Sequence, residues 1–421
     1  MNYVIIGNSA AAVGAVEGIR KIDQTGKITL ISDEPYHTYS RPLISYYLAG
    51  KVTEEKMLYR ERDFYEKNKV TALLGEKAVA IDPERKTVQL ANEKQIPYDK
   101  LLIATGGTPF IPPIEGLDKE GIYTFIKLDD VKKIKGVAKK GAKAVIVGAG
   151  LIGLKAAESL AKLGVEITIV ELANRVLSAI LDEEAGQIVQ KHLTGQGIKL
   201  ELNTTVQKIE GGSHVTGVTL KDGRQINCDF VILAIGVKPN TAVVENSPVK
   251  VNRGIVVDAY MQTNVPHIYA AGDVAEGYDL VYGQKRVLPI LPNAYRQGET
   301  AGLNMAGHHV SYTGGFAMNA IEIFGLPMLT SGIIAPQGDS YEVLANIDPE
   351  KAAYRKIVLK DNIVSGFILL NKVDRAGILT GLISQQVNVE TFKEDLLNDN
   401  FGYIHLPEEL RKSRMLKGVE A

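Results

Sequence analysis

"AVIVGAGLIGLKAAESL", residues 144 to 160, decides how this chain is read. An aliphatic, β-branched run enters a glycine turn, and the turn opens a segment with helical apolar spacing. Gly148, Gly150 and Gly153 occupy the three positions of a dinucleotide-binding loop: a tight turn, close backbone approach to a pyrophosphate, and close packing of helix on strand. Leu151 and Ile152 begin the helix, whose N-terminus supplies partial positive charge. Glu171 closes the next strand, where a carboxylate accepts hydrogen bonds from adenosine ribose hydroxyls. A 2′-phosphate about 4 Å from that carboxylate would be repelled by ~4 kcal/mol per charge pair at an effective dielectric near 20. NADH is therefore favoured over NADPH. Arg175 either binds such a phosphate or is a solvated or ion-paired side chain.

The same plan recurs, in poorer form, at "YVIIGNSAAAVGAVEG", residues 3 to 18. Gly7 keeps the tight turn, whereas Ser9 stands at the second glycine position and Ala12 at the third. Ser9 can offer its hydroxyl to a phosphate, and Ala12 still permits close helix packing. Asp33 and Glu34, ending the following strand, are available to a ribose. On its own this loop is either a dinucleotide site or a tight strand-to-helix turn.

With 421 residues, 45% hydrophobic and 23% charged, and a formal net charge of -1, the chain has the composition of a soluble globular protein of two or three domains. Nothing in the charge balance calls for nucleic acid or an anionic membrane. A strand begins within a few residues of Met1 and no apolar run reaches membrane-spanning length, so no leader or anchor is expected and the cytoplasm is the default. A single cysteine, Cys228, excludes an internal disulfide and a Cys-X-X-Cys pair.

Strands are expected at 3–7, 28–32, 101–105, 144–148, 167–171, 230–235 and 268–271, and helices after each glycine loop. This gives two βαβ units and two doubly wound parallel sheets. "GGTPFIPPIEG" at 106–116 reads as a linker. Six lysines between 131 and 143 are a solvated face or a docking patch for an acidic partner. Beyond 315 the alternation becomes antiparallel, with a hairpin turned at Asp361-Asn362, and the charged tail from 407 reads as a surface helix or frayed end. The fold class is α/β: two Rossmann-like domains plus a C-terminal α+β domain. The FAD-type domain is expected at 1–111 and 242–314, the NAD-type domain at 112–241 and the third at 315–421.

Three further stretches carry a resemblance: "YDKLLIATGG" at 98–107, "DFVILAIGVKPN" at 229–240 and "TNVPHIYAAGDVAE" at 263–276. With the two loops they make the chain resemble the pyridine nucleotide-disulfide oxidoreductases, flavoproteins with two dinucleotide-binding domains. The resemblance implies tightly bound FAD at the first loop and an exchangeable NADH at the second. It implies that Gly7, Ser9, Ala10 and Ala11 face the FAD pyrophosphate, Asp33 and Glu34 its ribose, and Ala104, Thr105 and Gly106 its edge. Ala78 and Gly272 join that set, and Asp273 binds the ribityl chain, ahead of what is read as a new helix. Gly236 joins the NAD set.

Residues 35–50, "PYHTYSRPLISYYLAG", resemble the subgroup serving iron-sulfur and rubredoxin-type acceptors, in which Arg41 and Ser45 match residues lining the flavin. Two positions depart from it. Tyr46 stands where relatives often carry lysine, and Lys155 where many carry a glutamate that contacts the nicotinamide. Lys155 is either an i,i+3 partner of Glu158 or a cofactor contact. A helix from "LPNAYRQGETAG", 291–302, resembles the one aimed at the flavin pyrimidine.

No cysteine pair, metal cluster or nucleophile elbow is present in the sequence, and Cys228 reads as a small buried residue, so the flavin must carry the chemistry. The expected activity is electron transfer from NADH through FAD to a small rubredoxin- or ferredoxin-type protein, or to a partner metalloenzyme subunit, by a monomer or homodimer. The alternatives are an NADH oxidase or diaphorase with no protein acceptor, or an NADH-sensing binding flavoprotein resembling apoptosis-inducing factor. No motif is legible in the C-terminal domain.

Overall fold

The computed structural model describes residues 1–409, 411 and 412, and three five-stranded sheets carry its architecture. The first is wholly parallel, in the spatial order 268–270, 100–103, 2–6, 27–32, 70–74. Its central strand, Asn2–Ile6, is flanked by the next strand on one side and by 100–103 on the other. Strand order therefore reverses at the carboxyl end of this strand, where Gly7 to Ala11 lie, and ligands of open α/β sheets bind at such points. The second sheet repeats the arrangement in the order 199–201, 166–170, 143–147, 230–233, 122–124, with its reversal at Gly148 to Ile152. Strand 268–270 of the first sheet follows every strand of the second in the chain, so the second unit is inserted into the first.

The two crossings between these units are joined. Gly107–Pro109 on the way out pairs antiparallel with Val237–Pro239 on the way back. The expected linker thus begins as one strand of a two-stranded ribbon.

The run of small residues after Gly7 has a packing reason. Helix Ala10–Ile22 crosses helix Leu291–Met305 almost backbone to backbone. A Cβ on Gly14 would lie 2.3 Å from the Tyr295 carbonyl oxygen, and one on Gly298 would lie 1.9 Å from that of Ala11. Larger side chains would separate the helices and withdraw the 291 end from the first loop.

The C-terminal sheet is antiparallel, in the order 318–323, 326–332, 363–370, 353–360, 341–348. Asp361 and Asn362 both adopt left-handed conformations, φ 51° and 60°, and make the expected two-residue hairpin turn. One face carries helix Ala376–Ser384. The other shares a core with the second sheet, Met328, Tyr354 and Ile368 packing in the same cluster as Ile146 and Leu154. At that junction the Tyr354 hydroxyl and the Lys356 ammonium each donate to Asp182 Oδ2 at 2.8 Å.

One expectation needs correction. No helix follows Asp273; a turn leads directly into strand Ala275–Asp279, which pairs with Gln284–Val287. The alternation in "AEGYD" forms a hairpin arm, so Asp273 does not open a helix of its own. The tail from 413 onward lies outside the described residues. Among the described residues no helix is long and apolar enough to cross a membrane.

Candidate nucleotide-binding site

The two loops solve the same steric problem. Gly7 has φ +127°, and a Cβ there would meet the Ala104 carbonyl oxygen at 2.1 Å; Gly148 has φ +107°, and a Cβ would meet that of Ala234 at 2.5 Å. Each first glycine is thus required by the neighbouring strand. The third position is equally tight: a Cβ on Gly153 would lie 2.0 Å from the Gly148 oxygen, and Ala12 is fully buried. Gly150 is different. Its φ of -77° suits any residue, and a Cβ would meet no atom within 4 Å. Internal packing gives no reason for glycine here, whereas unobstructed approach of an external phosphate does. Gly106 and Gly236 also face open space, with φ +66° and +119°. Ser9 is the N-cap of helix 10–22 and makes no side-chain capping bond, and the buried Ala10 and Ala11 form the first turn. These features fit a dinucleotide at each loop.

Beside the first loop, the Ala104 N–H donates to the Ile6 carbonyl at 2.8 Å, which sets the 104–106 turn against it. Gly272 lies between that loop and helix 291–305: its N–H donates to Gln297 Oε1 at 2.8 Å, and a Cβ would touch those of Ala11 and Ala294. Burial pushes the Asp273 carboxyl up to about 6, the charge of Arg41 opposing the shift. Burial works against the Arg41 charge as well, but Tyr39 and Glu34 outweigh it and hold the guanidinium above its usual range.

The two expected ribose carboxylates are not equivalent. Glu34 is 5% exposed, accepts from the Tyr39 hydroxyl at 2.6 Å and pairs with Arg41. Asp33 is exposed and pairs with Lys127 at 2.6 Å. The Tyr39 hydroxyl also accepts from the Leu128 N–H at 3.1 Å, so one phenol joins the Arg41 cluster to the second unit. Neither Tyr39 nor Gln297 was legible beforehand, since their roles are set by contacts distant in sequence. Ser45 is buried, its hydroxyl donating to the Pro42 carbonyl. Ala78 starts strand 78–82 and packs against the first core.

At the second loop, both Glu171 oxygens are in use, accepting from the Ala149 N–H at 2.6 Å and the Ala173 N–H at 2.8 Å. The carboxylate therefore braces the glycine loop from within. Arg175 folds onto its own loop, donating to the Leu181 and Ser178 carbonyls and to Asn174 Oδ1. Leu151 and Ile152 are half-buried at the helix start. Lys155 forms the i,i+3 pair with Glu158 at 2.5 Å, donates to the Glu322 carbonyl at 3.2 Å and lies 5.1 Å from the Tyr46 ring centroid. The two departures from the subgroup pattern thus meet. Cys228 is buried, its thiol pushed up to about 12 by burial, within the core under the second sheet.

Comparison with known proteins agrees with this architecture. Residues 1–298 match the pyridine nucleotide-disulphide oxidoreductase family and residues 318–387 the rubredoxin NAD+ reductase C-terminal domain. The chain is 33% identical over 397 residues to a nitrite reductase [NAD(P)H] of Bacillus subtilis, covering 94% of this chain and 48% of that protein, so it spans about half the relative's length. It is 32% identical over 391 residues to the NADH-dependent phenylglyoxylate dehydrogenase subunit epsilon of Aromatoleum evansii, covering 92% of both. It is 30% identical over 376 residues to an NADH-rubredoxin oxidoreductase of Clostridium acetobutylicum, covering 89% and 90%. A solved NADH:rubredoxin oxidoreductase from that organism superposes with a TM-score of 0.78 at 27% identity, over 95% of this chain and 99% of that one. The chain belongs to the pyridine nucleotide-disulphide oxidoreductase family, which implies a flavin and NAD(P)H, and carries the rubredoxin-reductase type of C-terminal domain.

Proposed function

We propose that the chain is a cytoplasmic FAD-dependent oxidoreductase that takes electrons from NADH and passes them to a rubredoxin-type or iron-sulfur carrier, or to a partner metalloenzyme subunit. One observation carries the reading: two dinucleotide-type loops open from adjoining sheets joined by a short ribbon, while the chain's single cysteine is buried at the end of the second sheet opposite its loop. Family members named for rubredoxin and nitrite reduction support the acceptor class.

In this reading the FAD domain comprises 1–111 and 242–314, the NAD domain 112–241 and the third domain 315–421. Bound FAD supplies hydride acceptance from NADH and release of single electrons. Gly7, Ser9, Ala10 and Ala11 would hold its pyrophosphate through backbone N–H groups, the Ser9 hydroxyl and the positive end of helix 10–22. Asp273 would accept from a ribityl hydroxyl, and Arg41 would steady the charge of that carboxylate. The amino end of helix 291–305 would favour negative charge on the ring. Gly148, Gly150, Leu151, Ile152, Gly153 and Gly236 would seat NADH. The braced Glu171 would accept from the adenosine ribose and disfavour a 2′-phosphate, with Arg175 committed to its own loop.

Anaerobic stopped-flow mixing tests the proposal. NADH should bleach the flavin absorbance of the loaded protein, and rubredoxin should restore it faster than buffer does. Restoration no faster than with buffer would overturn the acceptor assignment.

A further inference from the structure

The first nucleotide loop lacks its second glycine, yet it is not left loose. Asn8 lies between Gly7 and Ser9, and both ends of its side-chain amide are occupied. Nδ2 donates to the Tyr36 carbonyl at 3.1 Å, and Oδ1 accepts from the Tyr65 hydroxyl at 2.8 Å. The same hydroxyl accepts from the Thr38 N–H at 2.9 Å. The bonding directions agree with one another. A phenol that accepts from a backbone N–H has its proton free for the amide oxygen, which turns the amide nitrogen toward the carbonyl. Burial raises the pKa of the Tyr65 phenol, so it stays protonated and able to donate at neutral pH.

Three separate segments meet in this lock: the nucleotide loop, the strap that follows strand 27–32, and the short helix Phe64–Lys67. The strap is itself anchored. Thr38 is fully buried and its carbonyl accepts from the Tyr59 N–H at 3.0 Å, while the His37 ring packs on the Tyr65 ring with centroids 4.6 Å apart. These contacts hold the strap in place. It continues through Tyr39 to Arg41, whose guanidinium acts on Asp273 across the proposed FAD site.

We infer that Asn8 and Tyr65 are positioning residues for FAD: the Asn8–Tyr65–Thr38 lock fixes the loop in its phosphate-binding shape, a task glycine at the second position would leave to the ligand. The inference rests on the assignment of FAD to the first loop. It concerns how tightly FAD is held and says nothing of the acceptor.

The test is FAD titration of deflavinated protein, followed by flavin fluorescence quenching, with thermal melting of the same flavin-free samples. Tyr65→Phe keeps the ring and removes only the hydroxyl. Asn8→Gly removes the amide and adds no bulk, so on steric grounds alone it should bind FAD at least as well as wild type. The lock predicts the opposite. Each variant should weaken FAD binding about five- to tenfold, as expected for one well-placed hydrogen bond, and the double variant should be no weaker than the worse single one. Affinities within twofold of wild type, losses that multiply in the double variant, or a loss matched by an equal fall in flavin-free melting temperature would each overturn the inference. Wild-type protein that takes up no FAD would overturn the underlying cofactor assignment as well.

Discussion

The Thr105 hydroxyl donates to the Asn240 carbonyl oxygen at 2.6 Å, and the Asn240 N–H returns a bond to the Gly106 carbonyl at 2.9 Å. Residues far apart in the chain thus close a ring around the ribbon through which the chain leaves the first unit and re-enters it. The ring ties the two crossings together beside the 104–106 turn. Thr105→Val keeps the shape and removes the donor, at about 1 kcal/mol. We expect a small fall in melting temperature together with a severalfold rise in KM for NADH. Thr105→Ser should restore both. A loss of stability with KM unchanged would show that the bond only holds the ribbon closed.

Glycines of one motif should behave in opposite ways. Gly153→Ala would force a methyl group against the Gly148 carbonyl oxygen and should destabilise the protein by about 1–3 kcal/mol. Gly150→Ala meets nothing inside the protein, so its melting temperature should match wild type. Its KM for NADH should nevertheless rise at least tenfold, because on the proposed assignment the methyl group would stand where the pyrophosphate approaches. Steady-state kinetics and calorimetry on the two variants check this directly.

What the sequence discloses divides along physical lines. Gly148, Gly150 and Gly153 are legible because their spacing between a strand and a helix is that of a phosphate-binding turn, and Asp361-Asn362 because a two-residue turn requires left-handed residues there. The helix pairing that uses Gly14 and Gly298 is not, since nothing local says that residues 10–22 must meet 291–305. Neither is the inward turn of Glu34, which depends on Tyr39 and Arg41. Hairpin and helix also share the local signal after Asp273, and long-range pairing of 275–279 with 284–287 decides between them.

The bracing role of Glu171 makes its removal informative. Glu171→Ala should raise KM for NADH, since the Ala149 and Ala173 N–H groups lose their acceptor. It should also relieve repulsion of a 2′-phosphate. The ratio of kcat/KM for NADPH over NADH should therefore rise at least tenfold, and by more at low salt. An unchanged ratio would remove Glu171 from the discrimination.

Asp182 ties the C-terminal sheet to the second unit. It accepts from Tyr354 and Lys356, and its other oxygen caps helix Glu183–Gly195 through the Ala185 N–H at 3.1 Å. Asp182→Ala leaves the largely buried Lys356 ammonium without its partner and should cost about 3–5 kcal/mol. Lys356→Met with Asp182→Ala should recover part of it, as read from urea midpoints.

Asp273 sets a pH dependence with a definite sign. Its carboxyl is raised from 3.8 to about 6 by burial, so the folded flavin-free protein holds this proton more tightly than the unfolded chain. Stability from this group is fully present below about pH 4 and is lost as pH rises through about 6. Asp273→Asn cannot ionise, so the flavin-free variant should gain on wild type across that window and hold its advantage at pH 7. With FAD placed as proposed, the same change would remove a charged acceptor for the ribityl chain and should weaken FAD binding. Urea midpoints of both flavin-free proteins from pH 4.5 to 7.5, paired with FAD titrations at pH 7, test the trade. A stability difference independent of pH would remove the titration argument, and undiminished FAD affinity would remove Asp273 from the site.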